Sequence, residues 1–242
     1  MIRIHSVESL GTFDGPGVRM VLFLQGCNFK CVYCANPDTI ETNGESRLYY
    51  YEELMKLARS QRPFFGNKGG ITVSGGEPLM QAKALIPFFK QLKEEGFSTC
   101  IDTNGSYFND SVKELLQYTD LVLLDIKQIN DVAHRNITGV SNKATLRLAD
   151  YLQEINKAVW VRYVLIPGHT DNEEHLHELG RFLQPMPNIQ KLEIQPYHKL
   201  GIHKYESLGW EYKLEGVEQN TPEQLKKAKE IFRQYVKDVI VN

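Results

Sequence analysis

The chain has 242 residues, of which 42% are hydrophobic and 24% charged, a composition typical of a globular protein and too apolar for a disordered one. The formal net charge is −2 and no block of lysine or arginine stands out, so nothing favours binding to nucleic acid or to an anionic membrane surface. The chain has no signal-peptide core and no apolar run near the roughly 18 residues that span a bilayer, so we expect a cytoplasmic protein.

Six short runs rich in β-branched and aliphatic residues recur along the chain, each followed by a loop and a helical pattern. The predicted strands are Val18–Leu24, Ile71–Ser74, Thr99–Asp102, Leu121–Ile126, Val159–Ile166 and Leu192–Gln195. The predicted helices are Tyr51–Arg59, Gln81–Glu94, Ser111–Gln117, Asn142–Asn156, Asn172–Phe182 and Pro222–Tyr235. Asn142 and Thr221 are predicted to cap helix N-termini, and Gly96 is predicted to end a helix.

Six consecutive βα units with right-handed crossovers predict an α/β fold, a partial (β/α)6 TIM-like barrel. Continuous apolar strands are typical of a parallel sheet that is buried on both faces. Because the sequence shows no linker or repeat, we expect a single domain over residues 1–242. Catalytic groups in such folds lie at the carboxyl ends of the strands, so polar motifs that follow the strands are expected to form one site.

Three of the four cysteines, Cys27, Cys31 and Cys34, fall within eight residues directly after the first predicted strand. This crowding makes a poor disulfide framework, whereas thiolates suit an iron–sulfur cluster or zinc. A cubane cluster normally takes four thiolates, so three would leave one iron open, as a catalytic metal site requires. The alternative is a structural Cys3His zinc site with His5 or a distant histidine. Cys100 is expected to be a small core residue.

Other polar motifs follow the later strands. The second is followed by a turn with two glycines, Ser74-Gly75-Gly76-Glu77-Pro78, in which the backbone can approach a ligand closely. The third ends in Asp102-Thr103 and the fourth in Asp125-Ile126-Lys127. Such carboxylates and a lysine can bind a zwitterionic ligand through charge-assisted hydrogen bonds, and the oxygens of Asp102 and Thr103 suit a small hard cation. A capping carboxylate and a solvated lysine are the plainer interpretation.

Two more candidates lie in the second half of the chain. Arg162 is a charged residue in an otherwise apolar strand, and burying it without a partner would be costly. His198 follows the sixth strand. A carboxylate or a ribose of a bound ligand could be the partner of Arg162, whereas composition alone favours an ordinary loop histidine at position 198.

The C-x3-C-x2-C spacing, with Tyr33 before the last cysteine, resembles the signature of the radical S-adenosylmethionine (SAM) superfamily. The resemblance implies a [4Fe-4S] cluster on Cys27, Cys31 and Cys34 whose open iron binds SAM. In that family reduction of the cluster cleaves SAM to methionine and a 5′-deoxyadenosyl radical. The Gly75-Gly76-Glu77-Pro78 turn resembles the family motif that contacts the amino group of SAM.

Within the superfamily, the segment from Gly11 to Arg19 resembles that of the activases of glycyl-radical enzymes. This resemblance implies a monovalent cation (Na⁺ or K⁺) at Asp102 and Thr103, and catalytic roles for Lys127 and Arg162. It also implies a substrate-contacting loop that includes Asp14, Gly15 and Gly17. The implied SAM-binding residues are Tyr33, Cys34, Ala35, Gly75, Gly76, Glu77, Asp125, Ile126, Lys127, Arg162 and His198.

The resemblance further implies a monomer that acts in anaerobic glucose metabolism on a glycyl-radical enzyme, expected to be pyruvate formate-lyase. Flavodoxin or ferredoxin is the implied electron donor. Four cysteines cannot build the ferredoxin-like insert of many other activases, and the length argues against the short activases of anaerobic ribonucleotide reductase. One departure is Ala35, where the best-known activases have histidine. The alternatives are another glycyl-radical activase, a radical SAM enzyme acting on a small molecule, and a zinc-stapled scaffold without catalytic activity.

Overall fold

The computed structural model describes all residues from 1 to 242 and contains nine strands and eight α-helices. The strands are β1 (Ile2–Gly11), β2 (Arg19–Leu24), β3 (Arg47–Tyr49), β4 (Gly70–Gly75), β5 (Ser98–Thr103), β6 (Leu121–Asp125), β7 (Val159–Leu165), β8 (Ile189–Pro196) and β9 (Val239–Val241). The helices are α1 (Tyr51–Gln61), α2 (Ala82–Glu94), α3 (Asp110–Gln117), α4 (Asp131–Thr138), α5 (Lys143–Glu154), α6 (Glu173–Leu183), α7 (Ile202–Leu208) and α8 (Pro222–Phe232). None of these helices is both long and apolar enough to cross a membrane.

The strands pair in the order β3-β1-β2-β4-β5-β6-β7-β8-β9, which makes an open sheet with β3 and β9 at its edges. Strands β2, β4 and β5 are parallel, as are β7, β8 and β9. Strand β1 runs antiparallel to both β2 and β3. Parallel neighbours require crossover connections, and helices follow most of these strands in sequence. The predicted α/β fold class is therefore confirmed.

All six predicted strands are present, and the differences lie at their ends and in short elements. Strand β8 begins at Ile189 rather than at Leu192. Strands β1, β3 and β9 and helices α4 and α7 were not predicted. Strands β3 and β9 have only three residues each, too few for a periodic pattern to be visible. In β1 the alternation of buried and exposed residues is clear only at its start, and the later residues are mostly exposed.

The chain divides into two compact units by its internal contacts. The first unit comprises residues 1–28, 38–103 and 107–123. Its central strands carry mostly buried side chains, including all residues of β4 from Gly70 to Ser74. Helix α2 contributes Leu85, Phe88 and Phe89 to the core and packs against β5 and α3. Removing these apolar side chains from water is the main stabilising contribution to this unit.

The second unit comprises residues 29–37, 104–106 and 124–242. Helix α8 packs against α6 and against strands β8 and β9. The rings of Tyr163 on β7 and Phe232 on α8 meet edge to face, with centroids 5.6 Å apart, an arrangement that aromatic pairs prefer. The prediction of a single domain over the whole chain stays a prediction.

The signals at Thr221 and Gly96 are confirmed, whereas Asn142 occupies the predicted N-cap position without a side-chain cap. Thr221 and Gln224 form a capping box at the start of α8, in which each side chain accepts a hydrogen bond from the other's backbone amide. Gly96 follows α2 with φ of +75°, a conformation that favours glycine after a helix. Asn142 directly precedes α5, but its side chain makes no cap. Its amide instead donates to the carbonyl oxygens of Gln128 and Ile129, which fixes the loop after β6.

Candidate functional site

We define residues 25–36 as the cysteine loop. Backbone hydrogen bonds fix the first half of this loop. The amides of Gly26 and Cys27 donate to the carbonyl oxygens of Thr39 and Ile40, each over 2.8 Å. Gly26 has φ of +100°, which side chains with a Cβ rarely adopt, so the turn out of β2 depends on glycine at this position. The Cys27 side chain is half-buried at the end of this turn.

The second half of the cysteine loop is held by the C-terminus of α4. The amides of Lys30 and Val32 donate to the carbonyl oxygens of Thr138 and Ile137, over 3.0 and 2.9 Å. Carbonyls in the last turn of a helix have no partner within the helix, so the loop satisfies the helix end while the helix end holds the loop. Cys31 and Cys34 belong to this second half, and their side chains are half-buried.

His134 on α4 supports the same segment from the helix side. It is buried, and its ring packs edge-on against Phe29 of the cysteine loop, with centroids 5.5 Å apart. Its Nδ1 lies 2.7 Å from the carbonyl oxygen of Val140, a contact that requires a hydrogen on Nδ1. Nε2 is buried without a hydrogen-bond partner, so the imidazole is neutral. Burial disfavours the charged form and lowers the pKa of His134 below its ordinary value.

The strand end at Asp125 places a charged pair beside the cysteine signature. Nζ of Lys127 lies 2.8 Å from Oδ2 of Asp125 and 5.8 Å from the ring centroid of Tyr33, within cation–π distance. Burial alone would lower the pKa of Lys127, but the negative charge of Asp125, with smaller effects from Tyr33 and Cys31, outweighs burial and raises this pKa well above its ordinary value. Lys127 therefore stays protonated.

The hydroxyl of Tyr33 is buried and has no hydrogen-bond partner in the protein. Burial holds the pKa of Tyr33 well above its ordinary value, despite the opposing charge of Lys127, so the hydroxyl keeps its hydrogen. A buried donor without an acceptor is destabilising, and this cost is removed when a bound polar ligand supplies the acceptor. The surroundings of Tyr33 thus fit a polar cofactor such as SAM.

The glycine turn after β4 is in backbone contact with the start of the cysteine loop. The amide of Gly76 donates to Leu24 and that of Glu77 to Gly26, each over 2.8 Å. A Cβ on Gly76 would lie 2.2 Å from the carbonyl oxygen of Gly26, and one on Gly75 would lie 2.4 Å from the amide nitrogen of Leu24. Both positions therefore exclude a side chain, and this accounts for the two glycines.

Glu77 has internal hydrogen-bond partners. It is fully buried, and its Oε1 accepts from the amide of Leu79 over 2.9 Å and from the hydroxyl of Thr103 over 2.5 Å. This carboxylate ties the glycine turn to the end of β5. Its predicted contact with SAM stays a prediction.

The oxygens predicted to bind a cation lie at the end of β5. Oδ2 of Asp102 accepts from the hydroxyl of Ser74 over 2.7 Å, and the hydroxyl hydrogen of Thr103 is directed to Glu77. The Thr103 hydroxyl therefore has no hydrogen to offer a ligand. No group of three or more His, Cys, Asp or Glu side chains in the structure is spaced to hold a metal ion. The assignments of the cluster and the cation thus rest on the chemistry of the donor atoms.

Arg162 on β7 has a protein partner that the sequence analysis missed. Nε of Arg162 donates to Oε2 of Glu193 over 3.1 Å, and both side chains are buried. Oε1 of the same carboxylate lies 2.8 Å from Nζ of Lys191. A buried charge needs such a partner. Glu193 is itself a charged residue in a predicted strand, and burying its charge also requires a partner, so the reasoning applied to Arg162 would have identified it.

His198 is exposed on the segment after β8, and its Nδ1 accepts a long hydrogen bond of 3.4 Å from the amide of Leu200. The environment alone fits an ordinary loop histidine, and the predicted role in SAM binding stays a prediction.

Residues of α7 and its N-terminus contact the cysteine loop, which the sequence analysis did not foresee. A Cβ on Gly201 would lie 2.9 Å from the carbonyl oxygen of Ala35. Nζ of Lys204 donates to the Asn36 side chain over 2.9 Å, and the Tyr205 hydroxyl donates to the carbonyl of Cys31 over 3.4 Å.

The loop predicted to contact the substrate is ordered by two glycines and a threonine. Gly15 and Gly17 have φ of +120° and +72°, which disfavour any other residue. The side chain of Asp14 is half-buried, and its carbonyl oxygen accepts from the hydroxyl of Thr72 on β4 over 2.6 Å. The loop thus has one defined conformation.

We predict that His134 makes the stability of the protein depend on pH. Since its pKa is lowered in the folded state, unfolding takes up a proton, and stability falls as the pH decreases below the ordinary value of 6.5. The His134→Asn variant can still donate to Val140 but cannot be protonated. The slope of unfolding free energy against pH, measured by anaerobic denaturant titration from about pH 7.5 to about pH 5, is expected to flatten.

The matched control is His203→Asn, because His203 is exposed and this variant should retain the wild-type slope. Parallel curves for wild type and His134→Asn would show that the buried histidine is not held neutral.

Comparisons with known proteins agree with this geometry. The family model of the radical SAM superfamily matches residues 21–180. The chain is 47% identical over 236 residues to the pyruvate formate-lyase 1-activating enzyme of Escherichia coli, covering 96% of each chain. It is 46% identical over 233 residues to the pyruvate formate-lyase-activating enzyme of Staphylococcus epidermidis, covering 93% of each.

Among solved structures, the chain resembles a domain of the pyruvate-formate lyase-activating enzyme from Bacteroides vulgatus. The TM-score is 0.61 at 22% identity, over 72% of this chain and 99% of that one, which supports the fold alone. The family match and the two close relatives, together with the cysteine loop and its surroundings, identify the chain as a member of the radical SAM superfamily, within the group of pyruvate formate-lyase activating enzymes.

Proposed function

We propose that this chain activates pyruvate formate-lyase by generating a glycyl radical on it, with a [4Fe-4S] cluster and SAM as cofactors. The observation that carries the proposal is the position of Lys127, which is held protonated beside Asp125 and against the ring of Tyr33 in the cysteine signature. The ammonium and the carboxylate match the carboxylate and the amino group of SAM, and the unsatisfied hydroxyl of Tyr33 can donate to an oxygen of SAM.

The cluster would be held by the thiolates of Cys27, Cys31 and Cys34, which leave one iron open for SAM. When bound and reduced, the cluster supplies the electron that cleaves SAM to methionine and a 5′-deoxyadenosyl radical. The backbone hydrogen bonds on both halves of the cysteine loop hold the main chain around the three cysteines, which would limit the reorganisation needed when the cluster assembles.

The SAM site would combine residues from several strand ends. Lys127 and Arg162 are proposed to act closest to the reacting groups, with Asp125 and Glu193 keeping each cation in place. Asp102 and Thr103 would hold a Na⁺ or K⁺ ion. The remaining contacts are assigned to Tyr33, Cys34, Ala35, Gly75, Gly76, Glu77, Ile126 and His198.

The partner would present an extended peptide segment bearing the glycine to the loop of Asp14, Gly15 and Gly17. Recognition of such a segment depends on backbone contacts and a few side-chain pockets. We further propose flavodoxin or ferredoxin as the electron donor, a monomeric enzyme, and a cytoplasmic role in anaerobic glucose metabolism.

The proposal is tested by mixing anaerobic, reduced enzyme with SAM and pyruvate formate-lyase. We expect a glycyl-radical doublet in the electron paramagnetic resonance (EPR) spectrum of the partner, together with stoichiometric 5′-deoxyadenosine. Cys31→Ala should lose iron and activity, whereas Cys100→Ala, which changes the remaining cysteine, should keep its iron. A colourless protein that contains zinc would contradict the cofactor assignment, and SAM cleavage without a radical on pyruvate formate-lyase would contradict the substrate.

The role of Lys127 has a separate test. Lys127→Met removes the ammonium, and we expect SAM affinity to fall by about tenfold or more, the value of a charge-assisted hydrogen bond, with iron content unchanged. Titration of the reconstituted enzyme with SAM measures both, and His198→Ala tests the second predicted SAM contact in the same way. The exposed Lys213 provides the control Lys213→Met. Equal SAM affinities in wild type and Lys127→Met would remove Lys127 from the site.

A further inference from the structure

Arg19, the first residue of β2, is the largest side chain that is fully buried in the protein. Every acceptor of its guanidinium group is a neutral oxygen. Burying a guanidinium group without a carboxylate is costly, and only hydrogen bonds to all of its donors offset that cost. Burial of the Arg19 guanidinium group therefore depends on the hydrogen bonds to the acceptors that surround it.

These acceptors come from three segments of the first unit. Nε donates to the hydroxyl of Thr72 over 2.6 Å. Nη2 donates to the carbonyls of Ile71 and Ser98 over 2.8 and 3.1 Å. Nη1 donates to the carbonyls of Pro16 and Lys68 over 3.1 and 3.4 Å. One planar group thus joins β4 and β5 to the carbonyl of Pro16 in the predicted substrate loop.

A second connection to the same loop passes through Thr72. Because a guanidinium can only donate, the Thr72 hydroxyl must accept from Arg19 and use its own hydrogen for the carbonyl of Asp14, over 2.6 Å. The carbonyls of both Asp14 and Pro16 are therefore turned inward by a network that begins at Arg19. Each of these two carbonyls therefore directs a lone pair into the protein.

The loop is closely packed at both of its glycines, where an added side chain would collide with neighbouring atoms. A Cβ on Gly15 would lie 3.1 Å from Cδ of Arg19 and 3.2 Å from Sγ of Cys100. A Cβ on Gly17 would lie 2.5 Å from the amide nitrogen of Gly69. The loop therefore packs directly against the aliphatic part of the Arg19 side chain. The guanidinium group of the same side chain donates to the carbonyl of Pro16 in this loop.

We propose that Arg19, acting through Thr72, is a positioning residue that fixes the loop of Asp14 to Gly17 for recognition of the glycine-bearing peptide of the partner enzyme. This inference rests on the proposed function, because it assigns the loop to binding of that peptide. Arg19 itself does not contact the substrate. Its effect is expected in recognition of the partner, and not in cluster assembly or SAM binding.

The test uses Thr72→Val in the reconstituted holoenzyme, because valine keeps the shape of threonine but can neither accept from Arg19 nor donate to Asp14. The initial rate of glycyl-radical formation is measured at increasing concentrations of pyruvate formate-lyase. We expect KM for pyruvate formate-lyase to rise about tenfold, the effect of about one lost buried hydrogen bond, with kcat, SAM affinity and iron content unchanged. Thr72→Ser, which keeps the hydroxyl, should restore the wild-type KM.

Thr99→Val is the matched control. Thr99 is also a buried strand threonine in the first unit, and its hydroxyl makes hydrogen bonds to Tyr118 and Asp120, neither of which belongs to the loop of Asp14 to Gly17. It should lower the thermal midpoint about as much as Thr72→Val does but leave KM unchanged. Equal KM values for Thr72→Val, Thr99→Val and wild type, at lowered thermal midpoints, would show a purely structural network and overturn the inference.

Two further variants keep the inference testable if Thr72→Val does not fold. Thr72→Ala removes the same hydroxyl with a smaller side chain, and Arg19→Lys keeps the charge but loses the planar fork. Both variants should raise KM for pyruvate formate-lyase selectively. An unchanged KM in whichever of them folds would overturn the inference. If wild type forms no radical on pyruvate formate-lyase, the proposed function itself fails. If wild type is active and KM does not respond to these variants, only the role of Arg19 fails.

Discussion

The backbone hydrogen bonds of the cysteine loop are the constraint on which the rest of the site depends. Three thiolates can share one cluster only if the chain between them follows a defined path. Gly26 and Cys27 are held by the carbonyls of Thr39 and Ile40, and the second half of the loop is held by the last carbonyls of α4. The geometry of the loop is therefore set by backbone groups from distant parts of the sequence.

A second feature of the site is that its cations are paired with carboxylates. Lys127 is paired with Asp125, and Arg162 is paired with Glu193, which also contacts Lys191. A cation that is already paired stays charged and in place without ligand, so binding SAM does not require it to be reoriented. Arg19 differs, because its hydrogen bonds all go to neutral oxygens. We interpret this difference as the difference between binding a charged cofactor and holding a backbone loop.

The elements that local sequence patterns specify could be predicted from the sequence. The contacts between residues that are distant in the sequence could not. The six apolar strand patterns and the Thr221 cap are local signals, and the structure contains them. Helix α4 is an exception, because it was missed although Asn130 caps its start and Gly139 ends it with φ of +84°, which are local signals as well. The roles of His134, Glu193 and Thr72 depend on partners that a linear pattern does not reveal, such as Asp14, which is 58 residues from Thr72.

The central claim, that the enzyme removes a hydrogen atom from a glycine Cα of pyruvate formate-lyase, is tested most directly by isotope transfer. Pyruvate formate-lyase labelled with deuterium at the Cα of its glycines is activated anaerobically with unlabelled SAM, and the mass of the 5′-deoxyadenosine formed is measured. The account predicts a product that is heavier by one deuterium, in an amount equal to the glycyl radical seen by EPR. Unlabelled 5′-deoxyadenosine, formed while the partner stays without a radical, would contradict it.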